Sequence, residues 1–301
     1  MILEKKDLAM LSESKELKVA VYMITYNHEN YITQAIESVL MQETNFTYQL
    51  FIGEDCSTDK TREICNGLKE KYPNKIELVL QNANIGASKN ALQMFKLCFQ
   101  SGAKYIAMLE GDDFWTDPLK LQKQVDFLEA NSDYVLCFHK VSVLRPNGKL
   151  CTDFLTRLPN NHETLEDLAQ SWNYIHTPSV VFRNVITDFP YEFEMTPIGD
   201  FFLYMMLAEK GKLKYLEDDM ATYRYGVGMF SGDSGLKIIK SNLILFSLLV
   251  SYLKDEKIKK IMLRRQLRSI TILEEYIKRE AKLSVKITKP FAKIIKVIKR
   301  K

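Results

Sequence analysis

The sequence predicts an α/β fold: a mostly parallel, Rossmann-like sheet with helices on both faces, followed by a C-terminal helical extension. Three observations carry this reading. Short β-rich runs alternate with stretches of helical spacing from Lys18 to Phe99, and each run ends in a polar loop. The fourth run, Tyr105-Ile106-Ala107-Met108-Leu109, breaks abruptly into Glu110-Gly111-Asp112-Asp113-Phe114-Trp115. Strands buried on both faces read as continuous apolar runs, and right-handed crossovers between parallel strands set their loops along one edge. Open α/β sheets bind ligands at that edge.

The first unit is a strand at Lys18 to Ile24, a turn at Thr25-Tyr26-Asn27-His28, and a helix within Glu29 to Met41, where Ile32, Ala35, Ile36, Val39 and Leu40 share one face. The second is a strand at Tyr48 to Ile52 and a helix from Lys60 to Lys71, with Ser57 or Thr58 expected as its cap. Carboxylates again follow the strand, in Glu54-Asp55-Cys56-Ser57-Thr58-Asp59. The third runs from Ile76 to Leu80, through Gln81-Asn82-Ala83-Asn84-Ile85-Gly86, into a helix from Ser88 to Phe99. Beyond Trp115, Asp117-Pro118 opens a helix from Leu119 to Ala130, since proline suits a first turn. A strand from Tyr134 to Leu144 precedes the Pro146-Asn147-Gly148 turn, and residues 149–170 read as a flexible polar loop with a helix start at Thr164. Tyr174 to Arg183 reads as a strand carrying His176, Asp200 opens an apolar helix, and Glu217, Asp218 and Asp219 end a short strand. Leu236 to Arg279 reads as two helices.

Two adjacent carboxylates beside a buried strand repel each other and lose hydration, a cost that a shared cation offsets. All-oxygen ligands select a hard ion, Mg or Mn, which completes its shell with water and substrate phosphates. The plainer reading is a solvated acidic turn that caps the next helix.

In order, Tyr26-Asn27, Glu54-Asp55-Cys56-Ser57-Thr58-Asp59, Asn84-Ile85-Gly86 and Glu110-Gly111-Asp112-Asp113 follow successive strands, and this arrangement resembles family-2 glycosyltransferases of the GT-A fold. The resemblance, covering Val21 to Trp115, implies roles. Tyr26 packs on the nucleotide base, and Asp55 accepts from the uracil ring. Asn27 belongs to the same nucleotide-binding set. Asp112 holds the ribose or a metal-bound water, Asp113 ligates a metal bridging the diphosphate, and Glu110 is the outermost acid. Asp200 matches the family's general base, with Glu217, Asp218 and Asp219 as fallbacks. Trp115 and Phe114 form an apolar wall near the sugar, with His176 on the acceptor side. Tyr223 to Gly232 resembles the family's basic, glycine-bearing loop over the donor, in which Arg224 meets phosphate. Lys89 stands where the family often has a bidentate arginine, and Glu110 where it often has Asp. A lone histidine is more often structural, and an acid at a helix start is more often a cap.

Composition sets the limits. The 301 residues, 46% hydrophobic and 27% charged, suit one large domain with an appendage. Glu4, Lys5, Lys6, Asp7 and Glu13 leave no apolar signal-peptide core, so no export is expected. The longest apolar window, Leu243 to Leu253, reads as too short to span a bilayer. Five scattered cysteines without a Cys-x-x-Cys pair predict reduced core thiols. Residues 281–301 carry eight lysines and arginines and no acid, while the preceding body has a net charge of −4. There Phe291, Ile294, Ile295 and Ile298 recur on one helical face among lysines, the pattern of an interfacial helix rather than of a nucleic-acid site.

These readings divide the chain into a glycosyltransferase domain at 1–232 (nucleotide half 17–117, acceptor half 118–232), a helical extension at 233–280 and a basic amphipathic tail at 281–301. The expected activity is inverting, metal-dependent transfer from a UDP-sugar to a hydroxyl of a glycan or lipid-linked acceptor in bacterial polysaccharide biosynthesis, with Mn or Mg as cofactor. The expected place is the cytoplasmic side of the cell membrane, held peripherally by the tail. A nucleotidyltransferase of similar fold and an inactive glycan- or nucleotide-binding relative are the alternatives. Thr25-Tyr26-Asn27-His28-Glu29 is not the glycine-rich phosphate loop of the former. A processive synthase is disfavoured because the Gln-x-x-Arg-Trp signature is missing, the tryptophans being Trp115 and Trp172.

Overall fold

The computed structural model describes residues 16–228 and 235–298, with side chains through Arg279. A single nine-stranded sheet organises it, in the order β3-β2-β1-β4-β8-β6-β9-β5, with β7 paired to β6. The strands are β1 (Leu17–Thr25), β2 (Thr47–Glu54), β3 (Ile76–Leu80), β4 (Tyr105–Met108), β5 (Phe114–Trp115), β6 (Tyr134–Leu144), β7 (Leu150–Thr152), β8 (Val181–Arg183) and β9 (Lys212–Arg224). The helices are α1 (Ile32–Leu40), α2 (Thr61–Lys71), α3 (Ala87–Gln100), α4 (Lys120–Ala130), α5 (Leu165–Gln170), α6 (Tyr191–Met195), α7 (Gly199–Ala208), α8 (Gly235–Tyr252) and α9 (Glu256–Ile298).

The first four strands in the order are parallel, as their crossover spacing predicts. Along β1, Val19, Val21 and Met23 enter one core layer with α1 and α4, and Ala20 and Tyr22 enter the other with α3 and α7. That alternation is the period-two signature of a strand covered on both faces. The acceptor half is mixed rather than parallel: β8 runs antiparallel to β4 and β6, and β5 antiparallel to β9.

Three expectations are corrected here. The strand expected from Tyr174 is confined to β8, because Pro178 has no N–H for a ladder and sits in a 3-10 turn at Thr177–Ser179. Neither Ser57 nor Thr58 caps α2: Asp59 Oδ1 accepts from Thr61 N–H at 2.9 Å instead. Glu217, Asp218 and Asp219 do not end a strand but lie exposed within β9, where its pairing shifts from His139↔Leu216 to Lys140↔Asp219. The helix start expected at Thr164 is present as α5, with Thr164 and Asp167 closing a capping box.

The α7 segment Phe201 to Ala208 is buried on all sides, so Asp200 is the one charge at the mouth of an otherwise apolar helix. Helix α8 reaches beyond the sequence window at Leu243 to Leu253 and is long and apolar enough to cross a membrane by length and composition. Its inner face, with Leu245, Phe246 and Leu249, packs into the core. Cys65, Cys98 and Cys137 are buried thiols, as expected of core cysteines.

A polar hub ties α4 to the sheet. Gln124 Nε2 donates to the carbonyls of Ser179 (2.9 Å) and Cys137 (3.2 Å), and its Oε1 accepts from the fully buried Lys120 Nζ at 2.7 Å. Burial pushes the Lys120 ammonium down to about 7, and it lies 4.2 Å from the Trp115 ring. Replacing Gln124 by leucine orphans these groups, each worth roughly 1–3 kcal/mol when left unpaired. Gln124→Leu is therefore expected to lower urea-denaturation stability by about 2–5 kcal/mol; a loss under about 0.5 kcal/mol refutes the hub.

Candidate active site

The site grows from the level ends of the central strands. Thr25 pairs Glu54 and Tyr22 pairs Met108, so β1, β2 and β4 release their loops at one edge. The acidic loop continues along β1, with Leu109 N–H donating to Tyr22 O and Gly111 N–H to Ile24 O, both at 3.0 Å. A Cβ on Gly111 would lie 2.7 Å from Thr25 Oγ1, so this close approach requires glycine. Glu110 is half-buried, while Asp112 and Asp113 are 6% and 1% exposed.

β9 closes on this loop from a distant part of the chain. Pairing of Phe114 with Thr222 and Trp115 with Ala221 brings Arg224 alongside. Arg224 N–H donates to Asp113 Oδ1 at 2.7 Å, and its guanidinium donates to the Asp112 carbonyl and to Gln34 Oε1. The same group lies over the Phe114 ring at 4.6 Å and the Tyr31 ring at 4.9 Å. Arg224 thus sits buried in a strand as the anchor of the acidic loop, not in a mobile loop over the donor. Gly228 follows closely, where an added Cβ would come within 3.2 Å of Asp112 Oδ2. Met229 to Gly232, the rest of that predicted loop, lie outside the described residues.

Like charges crowd here. Glu110, Asp112 and Asp113 each offer a carboxylate oxygen, and these lie within 4.8 Å of one another. Burial, then Asp112 and Asp200, push Glu110 up from 4.5 to about 8. Burial and the charges of Asp112 and Glu110 also hold Asp113 well above the carboxylate range. Asp113 Oδ2 is buried without a hydrogen-bond partner. An orphaned carboxylate oxygen inside an all-oxygen acidic cluster fits a hard divalent cation.

On the β1 and β2 side of the edge, Tyr26 is 40% exposed just beyond β1. Asn27, at φ 54°, accepts Thr58 N–H at 2.9 Å on Oδ1, and its own N–H donates to Ser57 Oγ at 3.0 Å. Ser57 and Thr58 therefore join two loops. Asp55 accepts the N–H groups of Ile85 (2.8 Å) and Gly86 (2.9 Å), one on each oxygen. Lys89 is exposed on the first turn of α3, while buried Asn90 donates to the Gly53 carbonyl at 2.8 Å.

On the opposite side, Asp200 is half-buried and raised above its ordinary value by burial. Asn173 Nδ2 donates to its Oδ2 at 2.8 Å. His176 Nε2 donates to Asp153 Oδ2 at 3.0 Å, and its ring meets that of Tyr223 at 5.0 Å. The expectation of Trp115 as a sugar wall fails. The ring is 1% exposed, and its N–H donates to the Pro178 carbonyl at 2.9 Å, so it supports the loop from behind. Of the fallback acids, Asp218 pairs with Lys123 at 2.7 Å and Asp219 accepts from Ser142 at 2.6 Å.

The family model for "Glycosyl transferase family 2" matches residues 20–189. The chain belongs to glycosyltransferase family 2. The chain is 33% identical over 206 residues to an uncharacterized protein of Mycobacterium bovis, a match covering 68% of this chain and 58% of that one. An uncharacterized glycosyltransferase of Nostoc sp. is 30% identical over 218 residues, 69% of this chain and 65% of the relative. The match thus spans about three-fifths of the length of these relatives. Among solved structures, S. aureus TarS 1–349 in complex with UDP-GlcNAc aligns at a TM-score of 0.59 with 18% identity, covering 84% of this chain and 72% of that one. The mannosyltransferase PcManGT from Pyrobaculum calidifontis, in complex with GDP-Man and Mn2+, aligns at 0.56 with 14% identity, covering 93% and 86%. These likenesses establish the GT-A fold for the chain.

Sequence reading missed Gln34, Asn173 and Asp153, which hold Arg224, Asp200 and His176. Their signals are long-range contacts that local pattern does not carry. His28 was read only as a turn residue; its Nδ1 lies 3.2 Å from Thr25 Oγ1, and burial lowers its pKa although Asp112 opposes the shift.

Glu110, raised by burial, makes the stability of this fold depend on pH. A carboxyl raised on folding adds stability that is fully present below its unfolded value and lost as pH rises through its folded one. In chelator, the melting temperature is expected to fall as pH rises from 4.5 to about 8. Glu110→Gln should flatten that slope, and Mn should raise the melting temperature more at high pH than at low. A Glu110→Gln curve parallel to wild type removes Glu110 as the source.

Proposed function

We propose that this chain is an inverting, metal-dependent transferase that moves a sugar from a UDP-sugar to a hydroxyl of a glycan or lipid-linked acceptor in bacterial polysaccharide biosynthesis. The observation that carries it is the orphaned Asp113 Oδ2 within the Glu110, Asp112 and Asp113 cluster, at the sheet edge and in electrostatic reach of Asp200. Two further findings support it: TarS has been crystallised with UDP and with UDP-GlcNAc, and a Bacillus subtilis relative 35% identical over 114 residues is named for teichuronic acid biosynthesis.

Each residue has a task in this reading. Exposed Tyr26 offers an aromatic face to the base, and Asp55 orients the Ile85-Gly86 turn beside it while its remaining lone pairs face the uracil imide. Asn27 fixes the two loops that frame the base, and Lys89 stands as a point charge for phosphate. Asp113 and Asp112, with Glu110 outermost, would hold Mn or Mg. Such an ion, when bound, stabilises charge on the leaving diphosphate. Arg224 keeps the acids in place and is too enclosed to clamp phosphate itself. Asp200, oriented by Asn173 and raised by burial, takes the proton of the attacking hydroxyl. His176 lies on the same acceptor side.

The membrane reading gains support from α9, whose exposed Leu263, Leu267, Ile270 and Ile277 lie among Arg264, Arg268, Lys278 and Arg279. Its backbone continues to Ile298, while the side chains of residues 281–301 lie outside those described. Each basic residue near an anionic leaflet contributes about 1 kcal/mol, and the apolar stripe adds insertion energy. In this reading the enzyme works on the cytoplasmic face of the membrane.

Two experiments test these assignments. UDP binding by calorimetry should require Mn and vanish in Asp113→Ala, while Asp200→Asn should keep UDP binding and lose turnover by roughly 100- to 10,000-fold. Near-normal turnover of Asp200→Asn, or Mn-independent UDP binding, overturns the assigned base or the metal respectively. In vesicle sedimentation, the full chain should pellet with anionic lipid at low salt and a chain ending before Ala281 should not. Equal behaviour removes the tail from membrane binding.

A further inference from the structure

A small cavity, of about 50 Å³, lies where the end of α5 meets α8 and α9, with Ser171, Trp172, Phe246, Arg265, Arg268 and Ser269 among its walls. None of its lining residues belongs to the acidic edge. Since one water needs roughly 10–15 Å³ of such space, the cavity takes one group of about four oxygens, smaller than a sugar ring or a nucleotide.

Arg265 sets its charge. The guanidinium lies over three rings, Phe246 at 4.6 Å and Trp172 and Phe201 at 5.3 Å each, which hold it in place without neutralising it. Its Nη1 donates to the Ala169 carbonyl at 2.9 Å. Among the described residues, the buried side-chain nitrogens and oxygens without a hydrogen bond are Asp113 Oδ2, His139 Nε2 and Tyr204 Oη. Arg265 Nε and Nη2 have no partner there either, so they keep accessible surface. Burial and the like charge of Arg268 lower the group to about 10, and no carboxylate opposes them. The acids of α5 are engaged elsewhere: Glu166 accepts from Lys257 and Gln170, and Asp167 closes the capping box.

Ser269 supplies a second donor. It is 4% exposed, lines the same cavity, and its hydroxyl has no hydrogen bond among the described residues, yet it is not one of the sealed atoms. A reachable hydroxyl beside two guanidinium groups without a counter-ion calls for an acceptor that bears negative charge. Arg268 is exposed, and with exposed Lys260 and Arg264 it forms a basic row at four-residue spacing along α9, which draws anions toward the cavity. A carboxylate offers two oxygens. A phosphate offers more, and so can meet the Nε and Nη2 edge of Arg265, the charge of Arg268 and the Ser269 hydroxyl together.

We propose that this cavity is an oxyanion site that takes one phosphate group on Arg265, Arg268 and Ser269. The phosphate is either free or the head of an anionic lipid, and its binding does not rest on the glycosyl-transfer reading.

The test titrates the full chain at constant ionic strength with sodium phosphate and, separately, with dihexanoyl phosphatidic acid below its micellar concentration. Calorimetry reads affinity. Fluorescence places the ligand, since Trp115 is buried and Trp172, at the cavity, is 54% exposed. Two variants accompany it: Arg268→Glu reverses a charge at an exposed position, and Ser269→Ala removes the hydroxyl. Wild type should bind at least one probe with a shift of the tryptophan emission, and each variant should weaken that binding tenfold or more. Phosphatidic acid that binds at least tenfold tighter than phosphate, or alone, assigns the lipid head as the source; a smaller difference assigns free phosphate. Should Ser269→Ala fail to fold, Arg268→Glu alone decides. The proposal is overturned if wild type binds neither phosphatidic acid nor phosphate up to roughly 100 mM, a ceiling well above millimolar affinity. Binding that leaves the emission unchanged, or that the variants retain in full, places the phosphate elsewhere and overturns it equally.

Discussion

Everything at the sheet edge depends on one constraint, the grip of Arg224 on the acidic loop. Asp112 and Asp113 are adjacent, buried and alike in charge, an arrangement that burial and repulsion both oppose. The Arg224 backbone N–H satisfies Asp113 Oδ1, and the guanidinium takes the Asp112 carbonyl. One oxygen is left over. Because the arginine is spent on the backbone and on one carboxylate oxygen, Asp113 Oδ2 stays unpartnered. The loop is held in place with one acceptor kept free, which is what a cation site needs before the cation arrives.

That grip in turn depends on topology. Arg224 lies more than a hundred residues from Asp113 in sequence, and only the antiparallel pairing of β5 with β9 makes them neighbours. β5 is two residues long. It is held from behind by the Trp115 indole, which donates to the Pro178 carbonyl, and by Ser38 Oγ, which accepts the Trp115 backbone N–H at 3.0 Å. The parallel half supplies the edge, and the mixed half supplies the arginine that organises it. Removing either leaves the acids unsupported.

The parts of this structure legible in the sequence are those written locally. Apart from the two-residue β5, strand and helix positions through Leu144 follow from apolar period, and the acidic cluster follows from an apolar run breaking into carboxylates. What stayed hidden was written in pairing between distant segments. Ser57 and Thr58 look like helix caps, but Asn27, thirty residues earlier, occupies both. Trp115 looks like a surface aromatic beside an acidic turn until β9 covers it. Arg224 looks like a loop arginine because the glycines after it suggest freedom, whereas strand pairing continues through it. The bulge at His139 has no local signal at all, since it arises from a mismatch between His139↔Leu216 and Lys140↔Asp219, pairings of two strands far apart in sequence. Local propensity and pattern fix elements, and function here sits where long-range contacts override them.

The choice of Asp200 over the other acids follows from the same distinction between fixed and free groups. Glu217, Asp218 and Asp219 lie exposed on β9, and the latter two are already engaged by Lys123 and Ser142. An exposed carboxylate has neither fixed geometry nor desolvation to favour taking a proton from a hydroxyl. Asp200 differs on each count. It stands at the start of the buried helix α7, where the helix N-terminus favours its charge while burial opposes it. Asn173 fixes one oxygen, so the geometry of proton transfer is set by the fold rather than by chance. Its charge also raises Glu110, the outer member of the acidic cluster, so the two sides of the edge feel each other. In the proposed reaction, an acid so oriented, partly desolvated and coupled to Glu110 is the one suited to take the proton of the attacking hydroxyl.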